Sequence, residues 1–127
     1  MLIYAASNDP AEADKTAGAR ELLQGRLVLS VQVLQEFYYQ VTRSKRTGSL
    51  SHDQAASLVT AWLRFPVQEQ TVPLMRAAID LSHRFQISYW DAAIIEAARL
   101  QHCTTVLSED LSHGQNYDGI RDVYPFR

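Results

Sequence analysis

Three carboxylates in this chain stand where a hard metal ion could use them. Glu36 falls in the first turns of a segment that Ser30 can cap as a helix. Asp91 falls in the first turn of an alanine-rich segment, and Asp110 stands three residues beyond the end of the most β-prone run, Thr104-Thr105-Val106-Leu107. The helix dipole favours negative charge near a helix start and keeps such groups ionised. Ionised carboxylates gathered in one cleft repel each other, and a divalent cation removes that cost. Mg²⁺ suits the role because it takes carboxylate oxygens and retains water. Such a centre can orient a phosphodiester and acidify a water molecule. The separations, 55 residues from Glu36 to Asp91 and 19 from Asp91 to Asp110, do not by themselves gather the three. Each also has a plainer reading: a capping Asp, a solvated Glu, and an Asp that simply serves a turn.

Other residues carry weaker chemistry. His113 could contact a substrate phosphate or be an exposed loop histidine. Glu96 lies five positions after Asp91, not at the same-face spacing of three or four, so it could reach only the rim of a pocket built on Asp91. Cys103, the single cysteine, has no Cys or His at zinc spacing and reads as a packed thiol. Arg43, Lys45 and Arg46 form a basic cluster at a helix end, suited either to the helix dipole or to steering RNA. Tyr38, Tyr39, Trp62, Phe65 and Trp90 read mainly as core, with a partner groove as the other reading. None of the five glycines sits in a phosphate-binding or dinucleotide loop, and no serine sits in a nucleophile elbow.

The elements that must position these groups can be read from local patterns. Asp9-Pro10 with Glu12 starts a helix that runs through Leu23, with Gly25 as its left-handed stop. Arg26–Leu29 reads as a short buried strand. Ser30 then caps a helix from Val31 to about Arg46, with Leu34, Phe37, Tyr38 and Val41 as its apolar stripe and Gly48 as its stop. Ser51 and Gln54 form a capping box for a helix that carries Ala55, Leu58, Val59 and Trp62 toward Pro66. Val67–Val72 is a weaker strand, and Pro73 opens a helix through Leu81. Ser88 starts the alanine-rich helix to Leu100. Thr104–Leu107 is a strand, Asp118-Gly119 a turn, and the last strand lies near Asp122–Tyr124. Strands alternating with helices predict an α/β fold with a mostly parallel sheet. Ligands collect at the carboxyl ends of such strands, where Asp110 stands.

A length of 127 residues suits one compact domain with its own core, residues 1–127. A net charge of −2 excludes wrapping of nucleic acid by a broadly basic surface. One cysteine fits a reducing, cytoplasmic setting. No apolar run approaches the roughly 18 residues that cross a bilayer, and the first residues lack the pattern of a signal peptide.

Read together, the segments resemble the PIN-domain family, in its VapC-like toxin branch. Leu2-Ile3-Tyr4-Ala5 is similar to the tail of that family's opening motif. Ser30-Val31-Gln32-Val33-Leu34-Gln35-Glu36-Phe37 resembles its second motif, and Ser88-Tyr89-Trp90-Asp91-Ala92-Ala93-Ile94 its third. Leu107-Ser108-Glu109-Asp110-Leu111-Ser112-His113-Gly114-Gln115 resembles the fourth, and Val123-Tyr124-Pro125-Phe126 a common closing strand. The resemblance implies a three-layer α/β/α fold with a mostly parallel central sheet and an acidic pocket holding Mg²⁺ or Mn²⁺. It implies a hydrolase: an endoribonuclease in which a metal-activated water attacks the scissile phosphate. It also implies a cognate antitoxin and, often, a homodimer. Carried onto this chain, Glu36, Asp91 and Asp110 are the catalytic and metal-coordinating residues. Ser88 and Ser108 are supporting hydroxyls, and Glu96 and His113 are more distant contributors.

One departure stands out. The family's first strand, with its terminal aspartate and the asparagine after it, should precede Leu2, and none of it is present. The expectation is that the natural protein begins upstream. A catalytically degenerate PIN domain that binds antitoxin or RNA is the alternative, and Asp9 and Glu12 are the only early carboxylates that could substitute.

Overall fold

The computed structural model describes residues 13–22, 24, 27–43, 48–108 and 114–123. Expectations placed on Leu2–Ala6, Asp9, Pro10, Glu12, Gly25, Lys45, Arg46, Asp110, His113 and Tyr124 lie outside the described residues. The fold is mixed α/β, and the chain divides into two compact units, Met1–Val67 and Gln68–Pro125.

In the first unit, α1 (Ala13–Leu22) is followed by β1 (Leu29–Ser30), α2 (Val31–Thr42) and α3 (His52–Trp62). β1 is shorter than the expected strand over Arg26–Leu29. It pairs with β2 (Val67–Gln68), the strand at which this unit ends, and the Leu29 N–H donates to the Pro66 carbonyl at 2.9 Å. Ser30 leaves the strand in an extended conformation and its hydroxyl accepts from the Val33 N–H at 3.3 Å, which starts α2. Leu34, Phe37 and Val41 then recur on one face and are buried, as the 3.6-residue period requires. Phe37 meets Trp62 edge-on at 4.7 Å, joining α2 to α3 within a core that also holds Ala19, Leu29 and Ala55. Tyr38 departs from the expected stripe: it is exposed, and its hydroxyl lies 2.9 Å from His52 Nδ1.

α2 ends at Thr42, short of the expected Arg46. Arg43 already has an extended backbone (ψ 129°), and the Leu50 N–H bonds back to the Val41 carbonyl at 2.7 Å. The carbonyl of Val41 is thereby satisfied by a chain that has turned back, so the helix has no need of further residues.

The capping box before α3 closes in both directions. Ser51 Oγ accepts from the Gln54 N–H at 3.2 Å, and Gln54 Oε1 accepts from the Ser51 N–H at 2.9 Å. Ser51→Ala removes the first of these and is expected to cost about 1 kcal/mol. Urea unfolding with an unchanged m-value checks it, and a midpoint equal to the parent's would show that solvent caps the helix as well.

In the second unit, α4 (Val72–Phe85) packs on α5 (Tyr89–Leu100), and β3 (Thr105–Leu107), β4 (Asn116–Tyr117) and β5 (Ile120–Val123) form a sheet in the order β3-β5-β4. The expected strand over Val67–Val72 shortens to two residues because Thr71 caps α4, its hydroxyl accepting from the Leu74 N–H at 3.2 Å. Leu74, Ala78 and Leu81 of α4 and Ala92, Ala93, Ile95 and Ala97 of α5 are buried together. The alanines are what let two helices and a sheet approach closely.

β3 runs parallel to β5 with Val106 opposite Asp122, and β4 pairs antiparallel with β5. The sequence reading did not separate β4 from the preceding loop. The turn between β4 and β5 is the expected one: Asp118 and Gly119 both have positive φ (57° and 98°), as a two-residue hairpin loop of type I′ demands. The Gly119 N–H donates to Asn116 Oδ1 at 2.7 Å.

Candidate active site

The alanine-rich helix α5 presents Asp91 through its own start. Ser88, Tyr89, Trp90 and Asp91 occupy the cap and the first three helical positions, and Ser88 Oγ accepts from the Asp91 N–H at 3.1 Å. The contrast with α3 is informative. There the third helical residue, Gln54, reaches back to the cap N–H. Asp91 holds the same position with a side chain one carbon shorter, and among the described residues its carboxylate takes no hydrogen bond or ion pair. It is half-buried. A half-buried carboxylate at the positive end of a helix, with its oxygens uncommitted, is a ready oxygen donor for a cation.

Glu36 belongs to the first unit, where it is the sixth residue of α2, within the first turns as expected but beyond the turn in which the dipole acts strongly. It is exposed, and its Oε1 accepts from Gln32 Nε2, one turn earlier, at 3.1 Å. Ser30 is committed to capping α2, and Ser88 to capping α5.

Ser108, half-buried, ends the parallel strand, where its N–H bonds to the Val123 carbonyl at 3.1 Å. The segment after it re-enters the sheet at Gly114, whose N–H bonds to the Asp122 carbonyl at 2.8 Å. The connection that carries Asp110 is therefore rooted at both ends on consecutive residues of β5. Asp110 and His113 themselves lie outside the described residues. Among the described residues, no three His, Cys, Asp or Glu side chains gather in a metal-binding arrangement.

Glu96 is buried, and both its carboxylate oxygens are held by Arg99 Nε at 3.1 and 3.0 Å. The same guanidinium donates to the Asp118 carbonyl at 2.6 Å and the Tyr117 carbonyl at 2.9 Å. Glu96 and Arg99 thus fasten the Asp91 helix to the β4–β5 turn. From α4, Arg84 donates to the Asp118 carboxylate at 3.2 Å and to Asp80 at 2.9 Å. These bonds, Asp118 first, hold the Arg84 guanidinium above its ordinary pKa.

The sequence reading gave Asp122 no role beyond its strand. Its side chain is only 1% exposed, on the inward face of β5 shared with Ile120. The two-residue alternation Ile120/Asp122 is the signal that could have found it, because residues two apart on a strand share a face. Cys103 is half-buried rather than core, its Sγ 3.8 Å from the Gln101 carbonyl. Trp62 is core as expected, but Tyr39 and Trp90 are each 62% exposed. Arg43 lies over the Tyr39 ring at 5.9 Å.

No helix among the described residues is long and apolar enough to cross a membrane. No curated protein matches the sequence. The family model described as PIN domain matches residues 1–117, and its reach spans Ser30, Glu36, Ser88, Asp91, Ser108 and Asp110. On this match, which takes in nearly the whole chain, the protein belongs to the PIN domain family, whose members are in general nucleases that use divalent metals.

Proposed function

We propose that the chain works as one PIN domain of the VapC-like kind: an endoribonuclease that hydrolyses RNA phosphodiester bonds with Mg²⁺ or Mn²⁺, and the toxin of a toxin–antitoxin pair. The observation that carries the reading is the Asp91 carboxylate, half-buried at the start of α5 and uncommitted among the described residues. The donor set it would share with Glu36 and Asp110 is all carboxylate oxygen, which fits a hard divalent cation and disfavours zinc or copper. When bound, such a cation supplies Lewis-acid polarisation of the phosphodiester and an acidified water.

The chain's own residues supply the rest. Asp91 holds negative charge where the helix dipole keeps it ionised. Ser88 fixes the backbone on which Asp91 is mounted, and Ser108 does the same for the start of the Asp110 connection. Glu96 and Arg99 hold α5 to the hairpin that follows that connection. A cytoplasmic setting, a partner antitoxin and a homodimer belong to the same proposal.

Chelation tests it. Cleavage of a labelled single-stranded RNA by the full chain is expected to stop in excess EDTA and to return when Mn²⁺ is added beyond the chelator. Cleavage that continues in EDTA would exclude the metal-dependent reading.

A further inference from the structure

A basic side chain that serves a helix end bonds the last carbonyls. Arg43, where α2 ends, does not. The Val41 carbonyl is taken by the Leu50 N–H, and the Tyr38 carbonyl accepts from the Thr42 hydroxyl at 2.6 Å. Among the described residues the Arg43 guanidinium makes no hydrogen bond or ion pair, and it lies over the Tyr39 ring, 5.9 Å from its centroid. Tyr39 is 62% exposed, takes no part in the core of the first unit, and has no hydrogen bond at its hydroxyl among the described residues. Glu36 stands one turn earlier. Residues three and four apart are neighbours on a helix surface, about 5–6 Å between Cβ atoms. Glu36, Tyr39 and Arg43 therefore follow one another along the exposed side of α2, while Leu34, Phe37 and Val41 are buried on the other. Helical side chains lean toward the N-terminus, which carries Tyr39 toward Glu36 as it carries Arg43 over Tyr39. We propose that Tyr39 and Arg43 form a subsite for one nucleotide of single-stranded RNA, the phenol ring stacking its base and the guanidinium taking its phosphate, beside the phosphodiester addressed through Glu36. This inference rests on the nuclease reading and adds a ligand contact to it.

The residues around Tyr39 select the kind of ligand. A helical protein partner needs apolar anchors repeating at three, four and seven residues. Three and four positions to either side of Tyr39 stand Gln35, Glu36, Thr42 and Arg43, all polar, so no apolar stripe continues from the ring. An aromatic ring with a guanidinium against it is what an unpaired nucleotide requires. Bases stack on aromatic rings whatever their identity, because each has a π face, and the planar fork of arginine fits a phosphate. The contact with the ring also restrains Arg43, whose long side chain then loses less freedom when a phosphate arrives.

The test uses the full chain in the Asp91→Asn background, which removes cleavage from the measurement, with Tyr39→Ala, Tyr39→Phe and Arg43→Ala added one at a time. The probe is a fluorescein-labelled single-stranded oligoribonucleotide, beside a ribose-phosphate oligomer of the same length that lacks bases. Tyr39→Ala is expected to weaken binding of the oligoribonucleotide about tenfold, with Tyr39→Phe restoring most of it. On the baseless probe Tyr39→Ala should have no effect. Arg43→Ala should weaken both probes and lower the slope of log affinity against log salt by about 0.7, the share of one phosphate on a single strand. Circular-dichroism melts equal to the parent's are expected for all three, since both side chains lie outside the core. With Asp91 intact, the two alanine variants should raise KM far more than they lower kcat.

Equal affinity of the Tyr39→Ala and parent chains for the oligoribonucleotide overturns the proposal and leaves the pair to an acidic protein partner. An equal loss on the baseless probe, or a salt slope unmoved by Arg43→Ala, overturns it as well. A base-dependent contribution from Tyr39 in a chain that does not cleave upholds the subsite and defeats the nuclease reading. Metal-dependent cleavage indifferent to Tyr39→Ala and Arg43→Ala defeats the subsite alone.

Discussion

Asp91→Asn is expected to lower metal-dependent RNA cleavage by about 10²–10³-fold while leaving the chain folded. The size follows from the general cost of deleting one group that stabilises charge at a reacting centre. Asparagine keeps the shape of aspartate and removes the charge, so a metal loses an anionic oxygen and gains a weak amide one. Folding should tolerate the change for a specific reason. The bond that starts α5 uses the Asp91 backbone N–H and the Ser88 hydroxyl, and the substitution touches neither. The carboxylate itself holds no hydrogen bond among the described residues, so none is broken there. What the helix loses is the attraction between a negative group and its dipole, about 0.3–1 kcal/mol. Single-turnover cleavage in Mn²⁺ beside a circular-dichroism melt separates the two effects. An Asp91→Asn chain that cuts RNA at the parental rate would remove Asp91 from the site.

Arg99→Ala carries the largest expected stability effect. Glu96 is 9% exposed at its side chain and Arg99 34%, so the pair lies at the edge of the interior. Removing one member of a buried pair costs about 3–5 kcal/mol because the other charge is left behind. Partial exposure of Arg99 puts this case near the low end, about 3 kcal/mol, with most of the penalty in stranding the Glu96 carboxylate. Two turn carbonyls, those of Tyr117 and Asp118, lose their donors in the same step. For a chain of this length, 3 kcal/mol is a fall of roughly 10 °C in melting temperature. Arg99→Lys should recover only part, since an ammonium cannot hold a carboxylate and two carbonyls at once with the geometry of a planar fork. The double change Arg99→Ala with Glu96→Gln should melt above Arg99→Ala alone, because the stranded charge is gone. A double variant no more stable than the single one would show that the stranded charge is not the source of the loss.

The helix starts were the most legible part of this protein. Ser30 and Ser51 are expected caps and Ser88 an expected helix start, and all three cap, because the bond they make reaches only three residues along the chain. The buried stripe Leu34-Phe37-Val41, the turn at Asp118-Gly119 and the placement of Asp91 in the first turn of an alanine-rich helix are local in the same sense. Helix ends and strand extents were less legible. α2 stops at Thr42 because Leu50 returns to bond Val41, and the strand expected over Val67–Val72 shortens because Thr71 caps a helix.

The tertiary structure alone decided which carboxylates are available. Glu96 and Asp91 look alike in sequence, two acids on one helix. A guanidinium that also spans 18 and 19 residues to the hairpin carbonyls engages Glu96, and among the described residues nothing comparable engages Asp91. Trp62 and Trp90 look alike too. One is buried and meets Phe37 from another helix, and the other, in the first turn of α5, is 62% exposed. Local hydrogen bonds are written in short spacings of residue types, so sequence determined the caps, the turn and the helix that mounts Asp91. Burial and ion pairing depend on which distant segments meet, and that is where the fold assigned each acid and each indole its part.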